Sequence, residues 1–295
     1  MRLAGLSRAA ALRVVSARLS AAGVPGPGRD ARLLLRHVTG LDAAALLRDD
    51  AACLTAEEAV RLEAATQARA ARRPLAQITG TRAFMGRAFT VTSDTLDPRP
   101  ETELLVDCAL QGPAPARFAD LGTGTGCILV SLLAQWPTAE GIGTDLSAEA
   151  LAVAEANAVR HGVADRALFL RTSWCDGLSA GLDLIVSNPP YIAAEEHARL
   201  EPEVRAYEPR GALVPDPDPG RDGLGAYRAI AAAAVAPRCL RPGGRLILEI
   251  GATQSAAVSA ILAEAGFDQI LCHRDLEGRD RVITAQRASF SNAEA

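Results

Sequence analysis

The spacing of apolar side chains changes character twice along this chain of 295 residues. Over the first 73 residues it follows the helical period. Leu12, Val15 and Leu19 recur at three- and four-residue steps, and Leu34, Val38 and Leu41 fall at i, i+4 and i+7 around Gly40, a spacing that lines up side chains on one helical face. Thr55 and Glu58 have the capping-box spacing, in which each side chain satisfies the other residue's orphan backbone N–H and so opens a helix. That helix is expected to turn Val60, Leu62 and Ala65 toward a core and to stop at Arg72, Arg73 and Pro74, because proline has no N–H with which to continue the ladder. Residues 1–73 are therefore expected to form a small helical bundle. From 74 to 100, short β-prone pieces around Phe84 and from Phe89 to Thr92 flank Gly86 and predict a hairpin linker.

Beyond residue 101, to 295, apolar β-type runs alternate with helical stretches, with strands expected near 116–121, 139–145, 167–171, 182–187, 245–250, 268–272 and 281–286. Such alternation predicts an α/β domain built on a doubly wound, Rossmann-like, seven-stranded and mostly parallel sheet. No apolar run approaches the ~20 residues of a membrane span, so a soluble protein is expected.

Composition narrows the choice further. The apolar share of 49% comes largely from alanine and leucine, and all 31 basic residues are arginine, a bias read as coding composition. A net charge of -4 argues against a broad basic surface for duplex nucleic acid, which phosphate binding requires. Cys53, Cys108, Cys127, Cys175, Cys239 and Cys272 form no C-x-x-C pair, which fits a reducing cytoplasm. His37, His161, His197 and His273 are scattered, and no metal site is expected. The arginine-rich start has the composition of a mitochondrial transit peptide as well, but helical spacing through Leu12, Val15 and Leu19 makes an ordinary first helix the better reading.

Two segments carry chemistry. The first expected strand ends in Asp120-Leu121-Gly122-Thr123-Gly124-Thr125-Gly126, ahead of a helix with Ile128, Leu132 and Trp136 on one face. A glycine-rich strand-to-helix turn lets backbone N–H groups approach a ligand at the carboxyl edge of the sheet. Cys127 stands where a dinucleotide fingerprint has its third glycine, which weighs against a nicotinamide cofactor. The next strand ends in Asp145, 19 residues after Gly126, placed to accept hydrogen bonds from both hydroxyls of a ribose; the alternative is an N-cap, since Asp145 and Ser147 both precede a helical stretch. Trp174 follows the third strand, where an adenine ring has room to lie against it, with core packing the alternative.

The second segment is a buried strand ending in Asn188-Pro189-Pro190-Tyr191. The prolines lack N–H groups, so their carbonyls and the Asn188 side-chain oxygen make the turn rich in acceptors. That suits transfer to a planar nitrogen. An amide lone pair is delocalised, with a rotation barrier of ~18–20 kcal/mol, and two acceptors gripping the NH2 hydrogens favour a pyramidal, nucleophilic nitrogen. Tyr191 is placed to cover the flat face of the amide. Asn188, Pro189 and Tyr191 are the expected catalytic residues, and Asn188, Pro189, Pro190 and Tyr191 the expected substrate contacts.

At these residues the chain resembles the release factor glutamine N5-methyltransferase family, from about Arg29 to Arg281. The matching stretches are Arg29-Asp30-Ala31, His37-Val38-Thr39-Gly40, Pro74-Leu75-Ala76 before Thr79-Gly80, Pro98-Arg99-Pro100-Glu101-Thr102-Glu103, the glycine turn, Asn188 to Tyr191, Tyr207-Glu208-Pro209 and Arg279-Asp280-Arg281. The resemblance implies S-adenosylmethionine as cofactor, bound by Gly122, Thr123, Gly124, Thr125, Gly126, Asp145, Trp174 and Asn188. It implies as substrate the glutamine of a Gly-Gly-Gln loop in a class 1 peptide chain release factor, a partner docked by the N-terminal helical domain in the service of translation termination. Two positions depart from the pattern: Asp97 replaces an aliphatic residue and Ser173 an acid before Trp174. Asp216-Pro217-Asp218-Pro219-Gly220 has the residues of a solvated turn, with part of a lid as the other reading. The rival functions are methylation of a ribosomal-protein glutamine, methylation of adenine N6 or cytosine N4 in nucleic acid, and a non-catalytic adapter that merely binds cofactor. The linker Pro98 to Glu103, the absence of a basic tract and the intact Asn188 motif weigh against these in turn.

Overall fold

The computed structural model describes residues 3–178, 181–236 and 239–289, and the chain forms two compact units. One comprises Met1–Thr81 together with Glu201–Tyr207. Its helices are α1 (Arg8–Ala21), α2 (Pro27–Thr39), α3 (Ala43–Arg48), α4 (Ala56–Ala70) and α5 (Leu75–Thr79). The expected capping box opens α4: Glu58 N–H donates to Thr55 Oγ1 at 3.1 Å and Thr55 N–H to Glu58 Oε2 at 2.8 Å. Val15, Leu19, Leu34, Leu35, Val38 and Leu62 are buried together. Val60 is not among them; it is 71% exposed. The inner face of α4 is Ala59, Leu62, Thr66 and Arg69, and at about 100° per residue Val60 falls beside that stripe. Leu41 lies past the end of α2, which Gly40 closes at φ 71°.

An acid–arginine network also belongs to this unit. Asp30 is fully buried and accepts from Arg69 Nε at 2.7 Å. Arg69 Nη1 reaches Glu203 at 3.1 Å, and Arg72 grips both Glu203 oxygens at 2.6 Å. The helix Pro202–Tyr207 is held further by Tyr207, whose hydroxyl donates to the Ala71 carbonyl at 2.7 Å.

The other unit comprises Arg82–Leu200 and Glu208–Ala295. A hairpin of β1 (Thr81–Phe84) and β2 (Arg87–Thr90) turns through Met85 and Gly86. The start of the expected hairpin linker, just before it, is the helix α5. Next come α6 (Glu103–Leu110), β3 (Arg117–Leu121), α7 (Cys127–Gln135), β4 (Glu140–Asp145), α8 (Ala148–Arg160), β5 (Ala167–Arg171) and β6 (Leu182–Ser187). After the Pro202–Tyr207 helix (α9) follow α10 (Gly225–Val235), β7 (Leu240–Glu249), α11 (Ser255–Glu264), β8 (Phe267–Arg274) and β9 (Asp280–Arg287).

The sheet order is β5-β4-β3-β6-β7-β9-β8, parallel from β5 to β7, with β9 antiparallel to β7 and β8 antiparallel to β9. This is the expected seven-stranded, mostly parallel sheet. Side chains alternate across it: Leu184 and Val186 join the core of α6 and α7, while Ile185 joins that of α10 and α11. Strand β7 starts five residues before the expected 245, because Leu240 pairs with Leu182 before a register shift places Arg245 opposite Leu184. Strand order reverses between β3 and β6, and a crevice forms at the carboxyl ends of the strands at such a switch point.

Candidate functional site

A cavity of about 420 Å³ opens at that switch point, wholly within the second unit, and its wall includes Gly122 to Thr125, Asp145, Trp174, Asn188 and Pro190. The glycine turn is built by backbone conformation. Gly122, Gly124 and Gly126 take φ of 71°, 52° and 76°, the left-handed region that only glycine enters freely. At Gly126 a Cβ would also lie 3.1 Å from Ala154 Cβ in α8. Gly122 and Thr123 N–H both donate to the Thr144 carbonyl, at 2.8 and 2.9 Å, tying the turn to β4. Beneath it Asp120 accepts from Thr123 Oγ1 at 2.7 Å, its other oxygen having no partner among the described residues. Burial, with a smaller contribution from Asp145, pushes its carboxyl up to about 7.

Asp145 is pinned at the end of β4. Its Oδ2 accepts from Gly124 N–H at 3.0 Å and its Oδ1 from Ser147 N–H at 2.9 Å. The helix cap belongs instead to Ser147, whose Oγ accepts from Ala150 N–H at 3.0 Å. Trp174 holds a left-handed backbone, φ 47°, an uncommon conformation for a bulky side chain; Ser173 lies beside it in the wall.

At the end of β6, Ser187 Oγ donates to the Leu121 carbonyl at 2.6 Å, locking β6 to β3. Asn188 then enters the cavity wall, its Nδ2 donating to Thr102 Oγ1 at 3.2 Å. Thr102 in turn donates to buried Glu249 at 2.6 Å. Pro190 is part of the wall, whereas Pro189 is buried. The half-buried Tyr191 ring packs on the core around α10 and α11. Its carbonyl accepts from Gln254 Nε2 at 3.0 Å, and burial pushes its phenol up to about 12, so it is neutral.

Thr102 stood in the linker motif without an assigned role, and Glu249 and Gln254 were not singled out at all. The one signal for Glu249 was an acid closing the apolar run Leu246-Ile247-Leu248. Asn157 was also missed: it accepts from Thr90 N–H at 2.8 Å and donates to the Thr125 carbonyl at 2.9 Å, bracing the glycine turn. Asp97 is buried in the wall with one oxygen lacking a partner among the described residues, and burial raises its carboxyl. Nearby Arg99 clasps both oxygens of Glu208 at 2.7 and 2.6 Å, and burial pushes Glu208 up to about 7. Asp216 contributes to the wall as well, so the proline-rich stretch at 216–220 borders the cavity.

A glycine turn, a fixed carboxylate and an indole thus line one cavity whose wall also carries a side-chain amide, while the N–H groups of Gly122, Thr123, Gly124 and Gly126 are spent on Thr144, Asp145 and Thr123. The family model described as PrmC N-terminal domain matches residues 10–80, and that described as Methyltransferase small domain matches residues 91–203. A release factor glutamine methyltransferase of Cereibacter sphaeroides is 54% identical over 94% of this chain and 97% of its own length. One of Agrobacterium fabrum is 43% identical over 92% of this chain and 94% of its own. Among solved structures, the hMettl16 catalytic domain in complex with the MAT2A 3'UTR hairpin 6 superposes with a TM-score of 0.56 at 17% identity, over 81% of this chain and 84% of that one. A methyltransferase from Pyrococcus furiosus gives 0.51 at 13% identity, over 70% and 91%. These two likenesses concern the fold alone.

Proposed function

The chain belongs to the release factor glutamine methyltransferase family, and from that premise we propose that it methylates the N5 side-chain amide of the glutamine in the Gly-Gly-Gln loop of class 1 peptide chain release factors. The observation that carries this reading is the placement of Asn188 in the wall of the same cavity as Gly122 to Thr125 and Asp145.

The cofactor is S-adenosylmethionine, which supplies a methyl group activated by its own sulfonium charge. The residues present fit it. Asp145 has a fixed carboxylate with lone pairs left for two ribose hydroxyls, the left-handed glycines at 122 and 124 add no side chain to the cavity wall, and Trp174 offers an indole face for adenine. On the opposite wall, Asn188 Oδ1 and the Pro189 carbonyl accept the two N–H hydrogens of the substrate amide. Each such bond is worth ~4–6 kcal/mol in a dry site against ~1 in water, so exclusion of water by Pro190 and the rest of the cavity wall is part of the catalytic effect. Oxygen acceptors stabilise the positive charge that grows on nitrogen, and neutral Tyr191 adds none of its own.

The helical unit would dock the release factor, with residues 1–73 as the docking domain, 74–100 as the linker and 101–295 as the methyltransferase domain. No helix among the described residues is long and apolar enough to cross a membrane; the reading places the enzyme in the cytoplasm, where translation terminates, without sequence-specific nucleic-acid binding. Methyl transfer is tested by offering the enzyme a purified class 1 release factor, a mixture of ribosomal proteins, and DNA and RNA in parallel. Label on the release factor alone is expected, and label on a ribosomal protein or a nucleobase would overturn the substrate assignment.

A further inference from the structure

Counting protons behind Asn188 shows which way its amide must face. The Thr102 hydroxyl lies 2.6 Å from Glu249 Oε2 and 3.2 Å from Asn188 Nδ2. An ionised carboxylate only accepts hydrogen bonds, and a hydroxyl has one proton to give. With Glu249 ionised that proton goes to the carboxylate, so Thr102 can only accept from Asn188, and only the NH2 of Asn188 can donate. Its Oδ1 is then turned away from Thr102.

We infer that Glu249, acting through Thr102, is a positioning residue that fixes the polarity of Asn188 and thereby makes the site accept an amide NH2 rather than a carboxylate. The inference rests on the reading of Asn188 as the acceptor for the substrate amide. Protonated Glu249 reverses the chain: its O–H donates to Thr102, Thr102 donates to Asn188 Oδ1, and Asn188 presents its NH2 where the substrate amide also presents donors. The arrangement is rigid on every side. Thr102 is 2% and Glu249 1% exposed, and the Glu249 carbonyl accepts from the Tyr227 hydroxyl at 3.1 Å.

The charged and titratable groups facing Glu249 are Arg281 on β9, Arg99 and Glu101 before α6, Tyr191 after β6, Tyr227 on α10 and Cys127 on α7. The two arginines favour the ionised form and Glu101 opposes it, while burial pushes both tyrosines and the cysteine up, keeping them neutral. Burial dominates at Glu249 itself, raising its carboxyl to about 7 against the pull of Thr102 and Arg281. The reversal therefore falls in a range where the enzyme can be assayed.

Single-turnover methyl transfer to a release factor, at saturating S-adenosylmethionine and from about pH 6 to about pH 8.5, tests the relay. The native rate is expected to rise through a limb near pH 7. Thr102→Val should lower the rate about tenfold, the equivalent of one lost hydrogen bond, and abolish the limb while calorimetric cofactor affinity is kept. Thr102→Ser, which restores the hydroxyl, should recover both rate and limb. Glu249→Gln, isosteric with the native side chain, should abolish the limb and carries the test should Thr102→Val not fold. A flat native profile, or a limb that persists in Glu249→Gln and so belongs to Asp120 or Glu208, would overturn the relay. Asn188→Ala separates the two levels: full transfer by that variant removes Asn188 from the site, whereas a defective Asn188→Ala beside a native-like Thr102→Val refutes the relay alone.

Discussion

Replacing Asp145 with alanine removes one carboxylate from four hydrogen bonds at once. Two are seen directly, from Gly124 N–H at 3.0 Å and Ser147 N–H at 2.9 Å, and two are those proposed to the ribose of S-adenosylmethionine. A hydrogen bond to a charged group contributes about 1.5–3 kcal/mol. Taking the lower figure for a half-buried carboxylate, the ribose pair amounts to about 3 kcal/mol, or a little over a hundredfold in Kd. Cofactor at one hundred times the native Kd stabilises the native protein by about 2.7 kcal/mol, and by only about 0.4 kcal/mol a variant that binds a hundredfold more weakly. The variant also loses stability without cofactor, because two N–H groups lose their acceptor. The quantity to compare is therefore the increment on adding cofactor, measured by urea unfolding with and without S-adenosylmethionine and checked by calorimetric titration. Asp145→Asn, which keeps one acceptor oxygen, should fall between. Equal increments in the native protein and Asp145→Ala would show that this carboxylate braces the turn and does not touch the cofactor.

Asn188→Ala should retain much of its cofactor affinity yet lose about 10²–10³ in single-turnover rate, by analogy with removal of one oxyanion-hole donor, and Asn188→Asp should retain more; near-native transfer by the alanine variant would refute the acceptor role. Stability should fall as pH rises from the carboxylates' unfolded values of 3.8 and 4.5 toward about 7, because buried Asp120, Glu208 and Glu249 hold their protons longer folded than unfolded. Each contributes at most about 1.4 kcal/mol per pH unit, so urea midpoints of Glu249→Gln should show a shallower decline, and an unchanged slope would contradict its burial as a charge. Arg69→Met leaves the fully buried Asp30 with Arg29 at 3.2 Å and should cost about 3 kcal/mol, the low end for breaking a buried pair, while speeding amide exchange at 201–207; a loss under about 1 kcal/mol would mean the network contributes little.

What could be read from the sequence was local. The box at Thr55 and Glu58, the left-handed glycines at 122, 124 and 126, and the acceptor-rich end of β6 each depend on residues a few positions apart, so spacing alone revealed them. The sheet was legible for the same reason, each strand announcing itself by its own apolar run. Pairings across long stretches of chain were not. Arg72 meets Glu203 across 131 residues and Thr102 meets Glu249 across 147, and no periodicity links such partners. Nothing local marks α9 as part of the helical unit, or Glu249 as more than a strand-end acid. Val60 shows the limit even within one helix, since an apolar residue one position off the stripe is indistinguishable from a core residue until the partner helices are in place. The early start of β7 was hidden by Gly243 and Gly244, which break the apolar run while the strand continues through them.

Methyl transfer to a glutamine amide, in the cavity between the glycine turn and Asn188, is open to direct measurement. It is tested most directly by incubating the enzyme with S-adenosylmethionine carrying an isotopically labelled methyl group and a purified class 1 release factor, then mapping the modified peptide by fragmentation mass spectrometry. One labelled methyl is expected on the side-chain nitrogen of the glutamine in the Gly-Gly-Gln peptide, lost when that glutamine is replaced by glutamate. A methyl on any other residue, or undiminished labelling of the glutamate variant, would contradict it.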